Sequence, residues 1–454
     1  MRTHAPTAKA PTPRELGFWM STALVVGNMI GSGVFMLPTS LAPFGWNGVI
    51  AWVVTIAGGL ALAAVFARLS KAFPKAGGPY AYTQEAFGPA AGFAVAWAYW
   101  LSIPIGNAAI AVGGVSYLST LMPFITKVPG MHLAVTLGVI WLLVGVNCLG
   151  AQLAGGVQVV TTVLKLLPLV AVLALAGWAL AGDHGAVIAP FHAADIHLGG
   201  VTAAATLTLW GLLGLESATV PADKVIDPTR TIPRATMVGT AFTGLVYLLV
   251  CSAVVLMMPA DQVKASAAPL SDFVARFWGV GAGKILALFA AISAFGALNG
   301  WVLLQGELPN AMAKGGVFPA YLAKDSKAGT PVRAHLISAA FLTVLVLMNY
   351  AKSMADLFTF LVLVATTAAL FAYLACALAL LKLAGRLSGG GAASRGLIAM
   401  AIVAGLYSVF ALVGAGGYAV LLGVGLLAAG VPVYWLMRRK RTGDETGTHT
   451  HPTA

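Results

Sequence analysis

The sequence predicts an all-α, polytopic membrane protein with about twelve spanning helices, of which the first and the sixth are interrupted. Three observations carry that expectation. The 454 residues are 59% hydrophobic and only 9% charged, which excludes an ordinary soluble globule. Cutting the chain at charges, prolines and glycines leaves about twelve apolar stretches, each near the ~20 residues that a bilayer core requires. Two of these stretches carry glycine-rich interruptions at the depth where a membrane helix least tolerates them.

The spans fall at about 17–40, 46–67, 85–120, 133–150, 157–182, 199–222, 235–258, 280–313, 334–350, 354–383, 396–414 and 417–437. A net charge of +12 would suggest nucleic acid in a soluble protein, but here its distribution sets orientation. With the amino terminus in the cytoplasm, twenty of the 26 lysines and arginines lie on inside loops and tails. Lys127, Lys264, Arg276, Lys284 and Lys352 lie at or beyond the outer ends of the spans, and Lys165 alone falls in the middle of one. Both termini are therefore read as cytoplasmic. The first apolar stretch is too long for a signal peptide and lacks a small-residue cleavage site, so it is expected to remain as an anchor. Cys148, Cys251 and Cys376 lie within or at the edges of spans, so neither a disulfide framework nor a metal cluster is expected. The segments 1–14 and 442–454 are short, polar and expected to be disordered.

In the first span, Gly27-Asn28-Met29-Ile30-Gly31-Ser32-Gly33-Val34-Phe35 weakens the helix. Unwinding there frees the amides of Ser32, Gly33 and Val34 for an anion, and the carbonyls near Met29 and Ile30 for an ammonium. Those two features match the head group common to α-amino acids. The same glycines would also serve as a small-residue packing face between helices. The second span ends at Arg68, before a glycine- and proline-rich loop at 73–82 that reads as a tight turn. In the third span, Tyr99, Ile103, Asn107 and Ile110 share a helical face, and Pro104 is expected to kink it. Asn107, deep in an apolar span, faces either protein or substrate.

Lys165 in the fifth span costs about 2.5–3.5 kcal/mol to insert, so it should face a cavity or a row of carbonyls. Glu216, in the sixth, is the only carboxylate in the middle of any span; Glu307 lies nearer the cytoplasmic end of the eighth. A membrane carboxylate pairs, binds protons or meets a cationic substrate. Asp223, Asp227, Thr231 and Pro233 mark a cytoplasmic turn. In the eighth span Trp301 follows small residues that leave space against its ring. No histidine falls in the middle of a span, so a buried histidine relay is not expected. A membrane hydrolase would need a buried nucleophile with a base, and the spans offer none. A channel would show a continuous polar lining, and polar residues here cluster only at mid-depth.

The motifs GNMIGSGVFMLP (27–38), PKAGGPYAY (74–82) and AFGPAAGF (86–93), in this order and spacing, resemble the amino acid–polyamine–organocation superfamily of permeases. Within it the likeness is greatest to the arginine/agmatine and basic amino acid/polyamine antiporter group, over residues 17–437. The resemblance implies a core of ten helices in two inverted repeats over 15–385, with helices 1 and 6 broken, and two further helices over 386–441. The sequence supports this with a second interrupted stretch, Trp210-Gly211-Leu212-Leu213-Gly214-Leu215-Glu216-Ser217, at the corresponding place in the second repeat.

The resemblance assigns Met29, Ser32, Gly33, Trp210 and Leu213 to the substrate head group. It assigns Tyr99, Ile103, Asn107, Trp301 and Ala365 to the side-chain pocket, with Trp301 stacking on a guanidinium. Glu216, Lys165 and Tyr80 take gating or coupling roles, Tyr80 through its link to pH response. Ala365 stands where relatives have serine and Ile103 replaces a small residue, so the distal pocket is expected to be more apolar. Many permeases of the superfamily carry a lysine at the position of Lys165, whereas the antiporter pattern has a small apolar residue there. The expected activity is exchange of a cationic amino acid for another amino acid or its amine product by alternating access. Proton-coupled uptake of a neutral amino acid through Lys165 is the alternative. No enzyme activity, cofactor, metal or nucleic acid is implied. The expected partners are an amino acid or amine, the lipid bilayer of the cell inner membrane, and a second copy of the chain through the last two helices.

Overall fold

The computed structural model describes residues 16–73, 78–149, 152–182, 188–219, 225–349, 351–388 and 394–447, with backbone alone for 152–163 and 439–447. Among these residues the regular structure is helical, apart from one isolated bridge between Leu16 and Val225. The first span is split into α1 (Phe18–Met29) and α2 (Gly33–Leu41). Next come α3 (Trp46–Ala72), α4 (Pro79–Phe87), α5 (Pro89–Leu121), the short α6 (Phe124–Lys127), α7 (Met131–Leu149) and α8 (Gln152–Ala181). The second half runs α9 (Leu198–Trp210), α10 (Pro228–Met257), α11 (Ala260–Ala265), α12 (Pro269–Trp278) and α13 (Val280–Lys314). It closes with α14 (Val332–Met348), α15 (Met354–Leu387), α16 (Arg395–Gly414), α17 (Gly416–Ala428) and α18 (Gly430–Gly447).

Ten of the described segments are long and apolar enough to cross a bilayer, counting Phe18–Phe44 and Gly416–Arg438 as one each. The shorter apolar helices α9 and α14 bring the total to the twelve that hydropathy predicts. The helix α5 is apolar around its whole circumference, and such a helix belongs in the interior. Accordingly 94% of its most apolar window is buried, against 11% for Gly416–Arg438 at the lipid edge. Around α5 pack α13 and α15, while α10 packs on α1 and α3. The breaks in α1/α2 and after α9 thus face a helix that can hide their polar backbone.

Several boundaries differ from expectation. The loop drawn over 73–82 holds the start of α4, because Pro79 opens a helix readily at its first position. For the same reason α10 begins at Pro228, so Thr231 and Pro233 are helical rather than part of a turn. The helix α5 runs unbroken through Pro104. At the far end α18 continues to Gly447, six residues into the segment expected as a tail. The other tail, residues 1–14, and residues 448–454 lie outside the described residues.

Candidate functional site

The first break leaves backbone groups without helical partners, and the surrounding helices close them unequally. Ile30 is extended (φ −81°, ψ 90°), and its amide still donates to Val26 O at 2.8 Å. The last carbonyls of α1 accept from side chains on three different helices. Lys165 Nζ on α8 donates to Gly27 O at 2.9 Å, and Trp301 Nε1 on α13 donates to Asn28 O at 3.1 Å. Tyr247 Oη on α10 donates to Met29 O at 2.9 Å. The carbonyl at Met29, expected to be open to a substrate ammonium, is therefore already taken.

The amide end is different. The first bond into α2 runs from Met36 N to Ser32 O at 3.0 Å; the Ser32 side chain does not cap this helix, while the Tyr247 hydroxyl faces the Val34 amide. The amides of Gly33, Val34 and Phe35 thus begin a helix with no partner inside it, which is an anion-binding arrangement. Gly33 is required by space: a Cβ there would lie 2.8 Å from Tyr247 Oη and 3.2 Å from the Trp210 ring.

The second break follows Trp210. Amides of Gly211, Leu212 and Leu213 donate to carbonyls three residues back, at 3.1, 2.9 and 3.2 Å, so α9 tightens before it stops. Gly214 then adopts φ +101°, a conformation that side chains rarely enter, and a Cβ there would also meet Trp301 at 3.2 Å.

Between the two breaks lies a cavity of about 40 Å³, lined from both of them. Its wall includes Met29, Ser32, Gly33, Trp210, Leu213, Tyr99, Ile103, Asn107, Trp301 and Glu216, all singled out from the sequence. Asn28, Gly31, Ser102, Gly106, Ile110, Ala369 and Tyr373 complete it. Of these, Gly106 and Ile110 continue the α5 stripe, and Ser102 sits beside it at the same spacing.

Three residues singled out from the sequence do not line the cavity, and of these only Ala365 was expected in the side-chain pocket. Ala365 is fully buried away from the cavity, and Ala369, one turn further along α15, takes its place. Lys165, 1% exposed, stands behind the wall and reaches only the carbonyl of Gly27. Tyr80 lines a separate recess with Phe73, Gln84, Glu85 and Gly315. Burial in α4 holds its phenol above the usual tyrosine range.

Among the described residues, Glu216 is the only ionisable carboxylate or amine in the cavity wall. Its Oε1 accepts from Tyr99 Oη at 2.7 Å and its Oε2 from Tyr373 Oη at 2.5 Å. Neither Glu216 nor Lys165 forms an ion pair among the described residues. Asn107 Nδ2 donates to Gln305 Oε1 at 2.7 Å, while Asn107 Oδ1 and Ser32 Oγ are buried without partners among the described residues. Tyr373 and Gln305 were not read from the sequence, because each gains its meaning only from a partner far along the chain. His335 at the start of α14 is also fully buried, packed on Gly306 with neither ring nitrogen bonded among the described residues.

An all-helical membrane chain whose two broken spans line a common cavity is built as a secondary transporter. The chain belongs to the amino acid permease family, whose profile matches residues 16–435. It is 34% identical to the cadaverine/lysine antiporter of Escherichia coli K12 over 351 residues, covering 76% of this chain and 78% of that one. A putative arginine/ornithine antiporter of Bacillus subtilis 168 is 34% identical over 94% of this chain and 98% of its own. The putrescine transporter PotE of E. coli K12 is 30% identical over 93% of this chain and 96% of its own. These proteins are transporters, not enzymes.

Proposed function

We propose that this protein exchanges a cationic amino acid for another amino acid or its decarboxylated amine by alternating access. It does so across a bacterial inner membrane with both termini in the cytoplasm. The observation that carries the reading is Glu216, the only ionisable carboxylate or amine in the cavity wall among the described residues. A cation entering the membrane core loses hydration that only a fixed countercharge and oriented dipoles replace. The Glu216 carboxylate accepts from Tyr99 and Tyr373 and is also faced by the backbone amides of Gly214 and Glu216, which hold it in place beside the cavity. The rings of Tyr99, Trp210 and Trp301 add faces for a cation. The amides of Gly33 and Phe35 opening α2, with Ser32 Oγ, suit a substrate carboxylate. The relatives' substrates, cadaverine, lysine, arginine, ornithine and putrescine, are all cationic, which agrees with that charge.

A second reading, proton-coupled uptake of a neutral amino acid, draws support from Lys165, a buried amine with no acidic partner among the described residues. Counterflow of radiolabelled lysine into proteoliposomes separates the two. Competition by arginine, ornithine and cadaverine is expected, with leucine and alanine inert. Competition by the neutral compounds alone overturns the exchange of cations.

A further inference from the structure

The cavity is lined from two groups of helices. Met29 and Trp210 come from α1 and α9, which pack on α10 and α3, whereas Tyr99, Trp301 and Tyr373 come from α5, α13 and α15. The last helices are divided between these groups. On α16 the Tyr407 ring fills a notch at Gly58 of α3, where a Cβ would lie 2.1 Å from it. Tyr407 Oη donates to Thr55 Oγ1 on α3 at 3.1 Å, and Thr55 Oγ1 lies 2.7 Å from Thr208 Oγ1 on α9. One turn along α16, Ala411 O accepts from Thr206 Oγ1 of α9 at 2.5 Å. At the end of α16 a Cβ on Gly414 would lie 1.9 Å from Thr202 O, so only glycine lets the two backbones approach. The four hydroxyls are buried, and parting α16 from α3 and α9 would strand them.

The helices that follow are held by the other group. Trp97 Nε1 on α5 donates to Leu426 O of α17 at 2.8 Å, and a Cβ on Gly423 of α17 would lie 2.8 Å from Thr367 of α15. The Trp97 ring also covers Gly430 at the start of α18, and Tyr434 packs on Phe93 of α5 with ring centroids 5.1 Å apart. Contact between α16 and α15, by contrast, is smooth. A Cβ on Gly405 would sit 3.9 Å from Ala377 Cβ, an ordinary van der Waals distance. Among the described residues the one hydrogen bond there joins the exposed ends, from Ser394 N to Ser388 Oγ at 2.9 Å. The two spans meet at Gly414-Ala415-Gly416-Gly417, where Gly416 takes φ +82° with open space around it. We infer that α16 and α17 form a hinged clasp: α16 travels with α3 and α9, α17 and α18 stay with α5 and α15, and Gly416 absorbs the relative motion. Apolar faces slide where bonded ones do not, so the plane of slip is the α15–α16 interface. The clasp rests on the proposed alternating access, and it brings into the moving machinery a span that has no residue in the cavity wall.

The test joins α16 to α15. Gly405→Cys with Ala377→Cys places two Cβ atoms about 3.9 Å apart, within the reach of a disulfide, in a protein carrying Cys376→Ser to remove the neighbouring thiol. Lysine counterflow is measured before oxidation, after it and after reduction, with the linked fraction read from peptide masses. The rate is expected to fall to the fraction of molecules left unlinked and to return on reduction, while the linked protein still binds lysine by calorimetry. Undiminished exchange by the linked protein overturns the clasp, since α16 would then ride with α15. A linked protein that neither exchanges nor binds lysine also overturns it, because the link has then damaged the cavity rather than arrested a motion. If the reduced pair does not insert as a monodisperse protein, Gly416→Ala gives the reading. Alanine resists φ +82°, so the saturating rate should fall at least about threefold with lysine binding kept, whereas Gly417→Ala, in open space, should match the native rate. Equal rates for these two variants overturn the hinge. A native protein that exchanges no lysine overturns the proposed function itself, and a native exchanger indifferent to the link overturns the clasp alone.

Discussion

Replacing Lys165 by methionine removes the ammonium and keeps an unbranched side chain one atom shorter. In the native protein Nζ donates to Gly27 O over 2.9 Å, the side chain is buried, and no carboxylate pairs with it among the described residues. Holding a charged lysine near the bilayer centre costs about 2.5–3.5 kcal/mol. A hydrogen bond from a charged donor returns about 1.5–3 kcal/mol. The two nearly cancel, so Lys165→Met is expected to unfold within a few degrees of the native protein.

Function should not be spared in the same way. The Gly27 carbonyl loses its donor, and one of three side-chain ties on the end of α1 is gone. If α1 must return to one position in each cycle, lysine exchange falls at least about tenfold, the equivalent of one lost hydrogen bond. Thermal unfolding in detergent and counterflow in proteoliposomes, on the same preparation, measure the two quantities. A large drop in unfolding temperature would mean that the lysine is a structural strut. An unchanged exchange rate would mean that the Gly27 tie is irrelevant to the cycle. The proton-coupled reading predicts a third pattern, with exchange kept but accumulation driven by a pH gradient lost; retained gradient-driven uptake excludes Lys165 as the proton carrier.

Other substitutions probe the wall directly. Glu216→Gln removes the countercharge and can accept only one of the two tyrosine hydroxyls, so the lysine KM should rise about 10- to 100-fold. An unchanged KM refutes the counterion role. Gly33→Ala drives a methyl to 2.8 Å from Tyr247 Oη and should cost about 1–3 kcal/mol, seen as weaker lysine binding by calorimetry. Gly17→Ala, with open space around it, is the control, and equal affinities for the two would show a compliant wall at Gly33. Tyr80, held above the ordinary tyrosine range, keeps its proton and stays neutral at every working pH. Tyr80→Phe should therefore leave the midpoint of the pH–rate profile in place, and a displaced midpoint would show that the phenol titrates.

Much of this site is legible in one dimension, because glycine clusters and helical periodicity are local. The interrupted stretch at 27–35 and the stripe Tyr99, Ile103, Asn107 needed no partner to be seen, and both face the cavity. Of what closes the carbonyl end of α1, a carbonyl partner for Lys165 was legible from the cost of burying its charge, whereas Tyr247 and Trp301 reach it from 218 and 273 residues away and were not. Ala365 shows a subtler limit. It shares a stripe with Ala369 and Tyr373 at intervals of four, so its face was right. One turn along the axis is about 5.4 Å, enough to carry it past the end of the cavity. Motif alignment fixes which face a residue takes more firmly than its depth.

The unequal closure of the first break has a consequence for exchange. With Gly27, Asn28 and Met29 carbonyls occupied, a substrate's α-ammonium finds fewer backbone acceptors than the broken helix alone suggests. A substrate carboxylate, by contrast, meets the opening amides of α2, of which the Tyr247 hydroxyl faces only that of Val34 among the described residues. An amino acid and its decarboxylated amine share the distal contacts at Glu216 and Asn107 and differ at this one end. An anion at a helix start is worth about 0.3–2 kcal/mol, so cadaverine should compete about 2- to 30-fold less well than lysine in the same proteoliposomes. That ordering suits an exchanger that captures the amino acid from dilute solution and releases the amine. Equal or tighter competition by cadaverine would show that the substrate carboxylate does not sit on the α2 amides.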